Sequence, residues 1–293
     1  MKVYRLPSWL KQGIPDASVY NTANNIHKLK LNTVCLEAMC PNINDCFRVR
    51  QATFMILGRS CTRTCGFCNI SGAQKLFRQA SSDEPRRIIE AVKALELKYV
   101  VITSVTRDDL SDGGASQFVK TIESIRAYDE SIKVEVLIPD FNGSLENLNS
   151  VVKAEPFVLA HNLETVSRLY SMIRPQADYE RSLFLLKKAK EFSGTIITKS
   201  SLMLGLGERE EEVVATLKDL RGSDCDIVTL GQYLSPSSNH YPVKEFVPPE
   251  QFRKYEVIAL GLGFKKVLSS PKARSSYHAE DLGTVLGDTL ALA

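Results

Sequence analysis

The sequence lacks any long apolar run, and none of its stretches approaches the roughly 18 apolar residues that a membrane-spanning helix needs. It also lacks a strong charge of either sign, because 37 Lys and Arg residues stand against 34 Asp and Glu residues. This balance excludes an overall nucleic-acid or membrane footprint, although a local basic patch remains compatible with it. Residues 1–7 have neither the apolar core of a signal peptide nor the composition of a transit peptide. We therefore expect a cytoplasmic protein with no nucleic-acid or membrane partner.

Cysteine is scarce outside one window of the chain. Six of the seven cysteines lie within residues 35–68, and the remaining one is Cys225. A disulfide framework is not expected in a cytosolic protein of this size, because thiols are kept reduced there. Clustered thiols in a reducing compartment indicate metal or iron–sulfur ligation. The solitary Cys225 is expected to be a buried structural thiol.

Short apolar runs alternate with amphipathic stretches through most of the chain. This alternation predicts βαβ units and a parallel sheet. The predicted strands are residues 53–58, 99–104, 133–138, 157–160, 196–203 and 226–231. Six such units favour an α/β fold of the partial (β/α)6, TIM-like barrel type, with an open doubly wound sheet as the alternative.

The same pattern divides the chain into three predicted parts. Residues 1–50 form an N-terminal extension, residues 51–262 the barrel, and residues 263–293 a C-terminal extension that ends in a loosely specified tail. Because a parallel barrel carries its active site at the carboxyl ends of the strands, polar clusters that follow strands are the candidate site residues.

Three cysteines follow the first predicted strand at spacing C-x3-C-x2-C: Cys61, Cys65 and Cys68. Three thiolates hold three irons of a [4Fe–4S] cube, which normally has four cysteines, and leave one iron open to another ligand. A zinc site would need a fourth ligand at short spacing, and none is nearby. With Phe67 before the last cysteine, this loop resembles the signature of the radical S-adenosylmethionine (SAM) superfamily. The resemblance implies that the open iron chelates SAM, which is cleaved to a radical that abstracts hydrogen.

A second trio, Cys35, Cys40 and Cys46, has spacing C-x4-C-x5-C, which by itself is compatible with zinc or with a cluster. With Pro41-Asn42 inside it and Arg274-Ser275-Ser276-Tyr277 near the C-terminus, it resembles the auxiliary-cluster motif of the lipoyl synthase family. The resemblance implies a second [4Fe–4S] cluster, held in the two extensions, whose fourth ligand is a serine. We favour Ser276 over Ser275 as this ligand and assign it a catalytic role, because a labile oxygen ligand could leave and open one iron.

Four further residues are candidates for binding SAM. Gly113 and Gly114 follow the second strand and permit close approach of a ligand. Asn162 and Glu164 follow the fourth strand, where an amide and a carboxylate suit the ribose diol, although a helix-capping role is the alternative. Arg168 and Arg174 could bind a carboxylate, but arginines on helices are usually solvated, and we expect that of both.

The resemblance implies a transferase that inserts sulfur at C6 and C8 of an octanoyl chain on a carrier-domain lysine. The implied carriers are a 2-oxoacid dehydrogenase E2 or a glycine-cleavage H-type protein. An electron donor such as flavodoxin or ferredoxin and an iron–sulfur carrier complete the implied partners. Two alternatives stay open from the residues: another sulfur-inserting radical SAM enzyme of biotin-synthase type, and a non-enzymatic iron–sulfur or zinc protein.

Overall fold

The computed structural model of the protein describes residues 6–70 and 81–281. Its single described sheet has eight strands in sequence order, and the first strand pairs antiparallel with the second, whereas all later neighbours pair parallel. The strands are β1 (Asn32–Thr33), β2 (Thr53–Ile56), β3 (Tyr99–Ser104), β4 (Lys133–Leu137), β5 (Val158–Ala160), β6 (Ile197–Leu204), β7 (Ile227–Gln232) and β8 (Lys266–Ser269).

Helices connect the parallel strands and precede the sheet. The α-helices are α1 (Ala17–Lys28), α2 (Val34–Glu37), α3 (Ile43–Arg48), α4 (Glu84–Leu95), α5 (Ala115–Tyr128), α6 (Leu145–Lys153), α7 (Tyr170–Ile173), α8 (Tyr179–Phe192), α9 (Glu210–Gly222) and α10 (Pro249–Gly261). Short 3-10 helices lie at Ser8–Leu10, Phe141–Gly143 and Ser167–Leu169. None of the helices in the described residues is long and apolar enough to cross a bilayer.

Local sequence explains where several helices begin and which face they bury. The side chains of Asp16, Ser144 and Asp178 cap α1, α6 and α8 by accepting backbone N–H groups of the first turn. On α4, buried Ile88 and Leu95 recur at helical spacing and join the core beneath the sheet. The strands themselves are almost entirely buried, as expected for a parallel sheet covered by helices.

The fold class predicted from the sequence is confirmed, with a correction to the strand count. All six predicted strands are present, and β8 is a seventh parallel strand that pairs with β7. The prediction omitted β8 because Lys265 and Lys266 interrupt its apolar run and leave only Val267 and Leu268 as a signal. Residues 263–293 therefore begin with a strand of the sheet. The division at residues 50 and 262 stays a prediction, and the predicted tail, residues 283–293, lies outside the described residues.

After β8 the chain turns back along the inner side of the sheet. Its approach to β7 is so close that a Cβ on Gly231 would lie 1.9 Å from the carbonyl oxygen of Ala273, so this position requires glycine. The segment then reaches β2, where the hydroxyl of Ser276 meets Thr53, and Ala279 packs on β3. The C-terminal segment is thereby brought to the part of the barrel where the N-terminal cysteines lie.

Candidate active site

A cavity of about 390 Å³ lies at the carboxyl ends of the parallel strands. It is lined by residues at or after the ends of five strands: Thr103 of β3, Leu137 of β4, Asn162 after β5, Met203 of β6 and Gly231 of β7. Because the ends of five successive strands share one wall, the sheet curves around the cavity as in a barrel. Most of the lining surface is apolar. This is the position at which TIM-like barrels carry their active sites.

Cys61, Cys65 and Cys68 all line this cavity, on the loop that follows β2. The loop leaves the strand through a sharp turn in which Leu57 and Gly58 both have left-handed φ angles, of 69° and 89°. The carboxylate of Glu84 holds the turn by accepting the Leu57 N–H at 3.1 Å. A left-handed angle at a leucine is costly, so the surrounding contacts must hold this turn in place.

Backbone hydrogen bonds fix the cysteine loop to its neighbours. Thr62 N–H donates to the Thr106 carbonyl at 2.9 Å, and Gly66 N–H donates to the Ile173 carbonyl at 2.8 Å. The Gly66 carbonyl in turn accepts from Tyr241 N–H at 2.7 Å. The loop is therefore attached to three parts of the barrel rim and is preorganised to present its thiols.

Arg63, inside the cysteine loop, is the centre of a buried ion-pair network. Its guanidinium donates to both oxygens of Asp108 at 2.8 and 2.9 Å and to both oxygens of Asp140 at 2.7 and 2.9 Å. Arg181 lies 2.8 Å from the same Asp140 carboxylate. Although burial acts to raise it, these arginines lower the pKa of Asp140 to about 2, so the carboxylate stays ionised. The network locks the loop to the ends of β3 and β4.

The thiols of this loop are reduced and largely enclosed. Burial raises the pKa of Cys65 and raises that of Cys68 to about 12. The positive charges of Arg174 and Arg63 act in the opposite direction on Cys65. Because thiolates are the iron ligands, assembly of a cluster here must displace the thiol protons. Three free thiols around one rim fit a cluster with an open iron.

The second trio lies beside the first cavity, around a smaller one of about 30 Å³. Cys35, Cys40 and Cys46 line the smaller cavity together with Thr53 and Ser276. Cys35, Cys40 and Ser276 also line the larger cavity. The two trios therefore face adjoining spaces, although they are separate in the sequence and on different elements.

Electrostatics distinguish the second trio from an exposed group of thiols. Burial raises the pKa of Cys35 and of Cys46 to about 12, and it also raises the pKa of Cys40. The guanidinium of Arg274 acts to lower the pKa of Cys40, and burial lowers the pKa of Arg274 itself. In the described residues the hydrogen bonds of the Arg274 guanidinium go to the Pro271 and Ala273 carbonyls and not to a carboxylate. A buried cation beside three thiols suits an anionic group held by thiolates.

No group of three His, Cys, Asp or Glu side chains within residues 6–70 and 81–281 converges closely enough to hold one metal ion. In this part of the chain the two trios therefore do not form tetrahedral sites for a single zinc ion.

The two candidate serines occupy different surroundings. Ser276 Oγ accepts a hydrogen bond from Thr53 Oγ1 at 2.7 Å beside the second trio. Ser275 Oγ donates to Asn162 Oδ1 at 3.1 Å on the side of the first trio. This arrangement supports Ser276 as the oxygen ligand, which stays a prediction.

Asn162 and Glu164 lie together on the cavity wall, as their positions after a strand predicted. Asn162 Nδ2 donates to Glu164 Oε1 at 2.9 Å, and the guanidinium of Arg174 donates to the Asn162 and Leu163 carbonyls. Burial raises the pKa of Glu164, and the charge of Arg174 opposes that rise. Glu164 also has a left-handed φ of 67°. An amide, a carboxylate and a guanidinium beside Cys65 can together bind a diol and a carboxylate.

The other predicted SAM contacts are Phe67 and the glycine pair, and the structure places them in different surroundings from each other. Phe67 lines the cavity and packs against the second half of the core. Gly113 and Gly114 are not among the described lining residues and pack instead on Phe141 and Leu57. Their left-handed φ angles, 58° and 90°, serve the tight turn into α5. The structure therefore brings Phe67, but not the glycine pair, to the cavity.

Several site residues are missing from the sequence predictions. The expectation of a solvated arginine holds for Arg168, which is exposed and pairs with Glu212, but is wrong for Arg174, which lines the cavity. Arg63 and Thr53 were not predicted. Arg63 could have been noticed as a charged residue between metal-ligating cysteines, whereas nothing in the sequence distinguishes Thr53 from any other strand threonine.

The barrel and the three-cysteine loop at its catalytic end define a radical SAM enzyme. In agreement, the model of the radical SAM superfamily matches residues 55–220. The fold is also similar to methylornithine synthase (TM-score 0.54, 15% identity, 73% of this chain and 70% of that chain). It is similar as well to HydG, a maturase of the [FeFe]-hydrogenase (TM-score 0.57, 15% identity, 86% and 68%).

Relatives that align over nearly the whole chain identify the family within this superfamily. The sequence is 52% identical to the lipoyl synthase of Caldanaerobacter subterraneus subsp. tengcongensis over 94% of this chain and 96% of that protein. It is 50% identical to the lipoyl synthase of Caldicellulosiruptor bescii over 98% of each. The chain belongs to the lipoyl synthase family. It is accordingly a sulfur-inserting radical SAM enzyme that works with a [4Fe–4S] cluster and SAM.

Proposed function

We propose that the protein inserts two sulfur atoms, at C6 and C8, into an octanoyl chain carried on a lysine of a lipoyl-carrier domain. The observation that carries the proposal is the pair of cysteine trios facing adjoining cavities, with Ser276 beside the second trio. When bound, the two [4Fe–4S] clusters supply the electron that cleaves SAM and the sulfur that is inserted. The protein supplies ligands, orientation and exclusion of water.

The two trios have separate tasks in this proposal. Cys61, Cys65 and Cys68 hold the cluster that presents SAM, because their loop follows β2 at the strand ends and two of its thiols are close enough to Glu164 to interact with its charge. Cys35, Cys40 and Cys46, with Ser276, hold the auxiliary cluster. Each trio is one thiol short of a closed four-cysteine site, which fits reactive clusters better than electron carriers.

The remaining site residues bind and orient SAM. Asn162 and Glu164 contact the ribose hydroxyls, Phe67 flanks the bound cofactor, and Arg174 binds its carboxylate. Gly113 and Gly114 contribute the tight turn that precedes α5 and packs on Phe141 and Leu57, next to the start of the cysteine loop. Because water reaches such a cavity poorly once it is filled, a carbon radical formed there is protected from side reactions.

The octanoyl chain fits the mostly apolar lining between the two trios. The carriers we propose are a 2-oxoacid dehydrogenase E2 domain or a glycine-cleavage H-type protein, with flavodoxin or ferredoxin as electron donor. An iron–sulfur carrier would rebuild the consumed cluster. A cytoplasmic location, where these thiols remain reduced, belongs to the same proposal.

A biotin-synthase-like enzyme is the main alternative among radical SAM sulfur-inserting enzymes. Such enzymes take the ligands of the auxiliary cluster from positions scattered along the barrel. Here the second trio precedes the barrel in the sequence, and Ser276 follows it. This arrangement favours the lipoyl-forming reaction.

The test is iron and sulfide analysis after anaerobic reconstitution. We expect about eight irons per chain, from two four-iron cubes, and a lipoyl product detected by mass after adding SAM, reductant and an octanoylated carrier. Replacing Cys61, Cys65 and Cys68 with Ala should leave about four irons and abolish SAM cleavage. Replacing Cys35, Cys40 and Cys46 should also leave about four irons and preserve SAM cleavage, but should prevent sulfur insertion.

Cys225→Ala is the matched control, because this thiol is buried among apolar residues away from both cavities. It should retain all the iron and the activity. Lipoyl product from the variant that lacks the second trio would contradict the auxiliary role, and about one zinc per chain in place of iron would contradict both clusters.

A further inference from the structure

Thr53 contacts one of the proposed auxiliary-cluster ligands. It is the first residue of β2, it lines the small cavity and the edge of the larger one, and only 6% of its surface is exposed. Its hydroxyl donates a hydrogen bond of 2.7 Å to Ser276 Oγ, which is 223 residues away in the sequence.

The simplest alternative is that Thr53 is an ordinary strand threonine whose hydroxyl is merely satisfied. Two contacts set it apart. Its hydroxyl donates to a side chain of the C-terminal segment, beside the second cysteine trio. Arg274, which lines the same cavity, donates to backbone carbonyls and not to Ser276. In the described residues, Thr53 is therefore the side chain that orients the Ser276 hydroxyl.

The chemistry of an oxygen ligand makes that orientation matter. Serine binds iron firmly only when it gives up its hydroxyl proton, which passes to solvent as other metal ligands release theirs. The resulting negative oxygen sits in a largely buried place and needs a hydrogen-bond donor. A hydroxyl that donates to an anionic oxygen forms a charge-assisted bond, which is stronger than a neutral one. Thr53 can supply that donor at the observed distance.

We propose that Thr53 is a positioning residue for the auxiliary cluster, whose hydroxyl holds Ser276 on iron and thereby sets how readily this ligand leaves. The proposal rests on the auxiliary cluster and the Ser276 ligand of the proposed function. In this proposal Thr53 acts through its hydrogen bond to Ser276. Its loss should weaken the fourth ligand while the three thiolates remain.

The experiment compares Thr53→Val with Thr53→Ser in a protein that also carries Cys61→Ala, Cys65→Ala and Cys68→Ala, so that only the auxiliary cluster can form. Valine keeps the shape of threonine without the hydroxyl, and serine keeps the hydroxyl. After anaerobic reconstitution, the rate of iron loss to a chelator and the EPR signal of a three-iron cluster are measured. Neither readout depends on activity.

We expect Thr53→Val to lose iron about tenfold faster and to accumulate three-iron clusters, while Thr53→Ser behaves like the parent. A factor of ten corresponds to about 1.4 kcal/mol, near the lower end for a hydrogen bond to a charged group. In a Ser276→Ala background, where iron is already lost quickly, Thr53→Val should add nothing. Thr121→Val is the control for the general effect of this substitution on stability, because Thr121 is a buried helix residue whose hydroxyl donates to the Gln117 carbonyl.

The iron content and the rate of iron loss distinguish failure of the proposed function from failure of this inference. A parent protein that holds no four-iron cluster would overturn the proposed function and this inference with it. A parent that holds about four irons, with Thr53→Val losing iron no faster, would overturn the inference alone. Equal acceleration with and without Ser276 would also overturn it, because Thr53 would then act through Cys35 or through packing.

Discussion

The hydroxyl of Ser275 donates a hydrogen bond of 3.1 Å to Oδ1 of Asn162, which joins the C-terminal segment to the side of the cavity assigned to SAM. The next residue, Ser276, contacts Thr53 beside the second cysteine trio. Adjacent serines therefore contribute to two different parts of the site. They are the central residues of a turn that is closed by a 3.0 Å hydrogen bond from the Tyr277 N–H to the Arg274 carbonyl.

This relationship predicts opposite effects of two alanine substitutions. Ser275→Ala should weaken SAM binding about fivefold, because a neutral hydrogen bond that orients Asn162 is worth about 1 kcal/mol. Its auxiliary cluster should be unaffected. Ser276→Ala should bind and cleave SAM normally but lose sulfur insertion. Equilibrium dialysis with SAM and mass analysis of the product measure the two effects. The reverse pattern would make Ser275 the ligand.

Arg63→Ala should release the SAM-cluster loop from the barrel. The substitution removes a buried guanidinium from Asp108 and Asp140, and loss of one partner from such a network costs about 3 kcal/mol. We expect a lower unfolding free energy and loss of the iron held by the first trio, with about four irons retained. Arg59→Ala is the control, because that exposed arginine pairs only at the surface. An iron content equal to that of the parent would show that the loop does not depend on Arg63.

Gly114→Ala should disturb the turn that starts the cysteine loop. A Cβ at this position would lie 2.2 Å from Leu57 Cδ1, and its φ of 90° is unfavourable for alanine. The combined clash and strain should lower the unfolding free energy by roughly 1–3 kcal/mol. Gly194→Ala, where nothing lies within 4 Å and φ is not left-handed, should be neutral or slightly stabilising. Denaturant unfolding of both variants checks the comparison.

Stability should fall in weak acid because of His161. The ring is buried, its Nδ1 lies 2.9 Å from the Ile138 carbonyl oxygen, and burial lowers its pKa from 6.5 to about 4. Between pH 4 and 6.5 the histidine binds a proton in the unfolded chain but not in the folded protein. The free energy of unfolding therefore rises with pH in this range. The contribution is fully present above about 6.5 and is lost as pH falls to about 4. It amounts to at most roughly 3 kcal/mol.

The measurement is the unfolding free energy of the reduced apo-protein at several pH values. His161→Asn should be less stable near neutrality, but its stability should change less between pH 6.5 and about 4 than that of the parent. His27→Asn, at an exposed helix residue, should keep the parental slope. An unchanged slope in His161→Asn would assign the acid sensitivity to other groups.

The sequence predicted most of the barrel and the ligand candidates, but not their mutual arrangement. Six strands were identified from apolar runs, since buried parallel strands are almost continuously hydrophobic. β8 was missed because its run is short and follows two lysines. The placement of Gly113 and Gly114 was not predictable, because a glycine pair has the same sequence pattern whether it forms a turn or contacts a ligand.

The chemistry available to the protein can be deduced from its sequence. Cysteine spacing, a serine motif and alternating strands and helices are local features, and each indicates its role without knowledge of distant contacts. Which of these groups meet depends on the folded chain. Thr53 and Ser276, Ser275 and Asn162, and Arg63 and Asp140 are brought together only by the closing of the barrel and the return of the C-terminal segment. Such pairs leave no periodic signal, because the contacts of a folded chain depend on packing between elements and not on spacing along it.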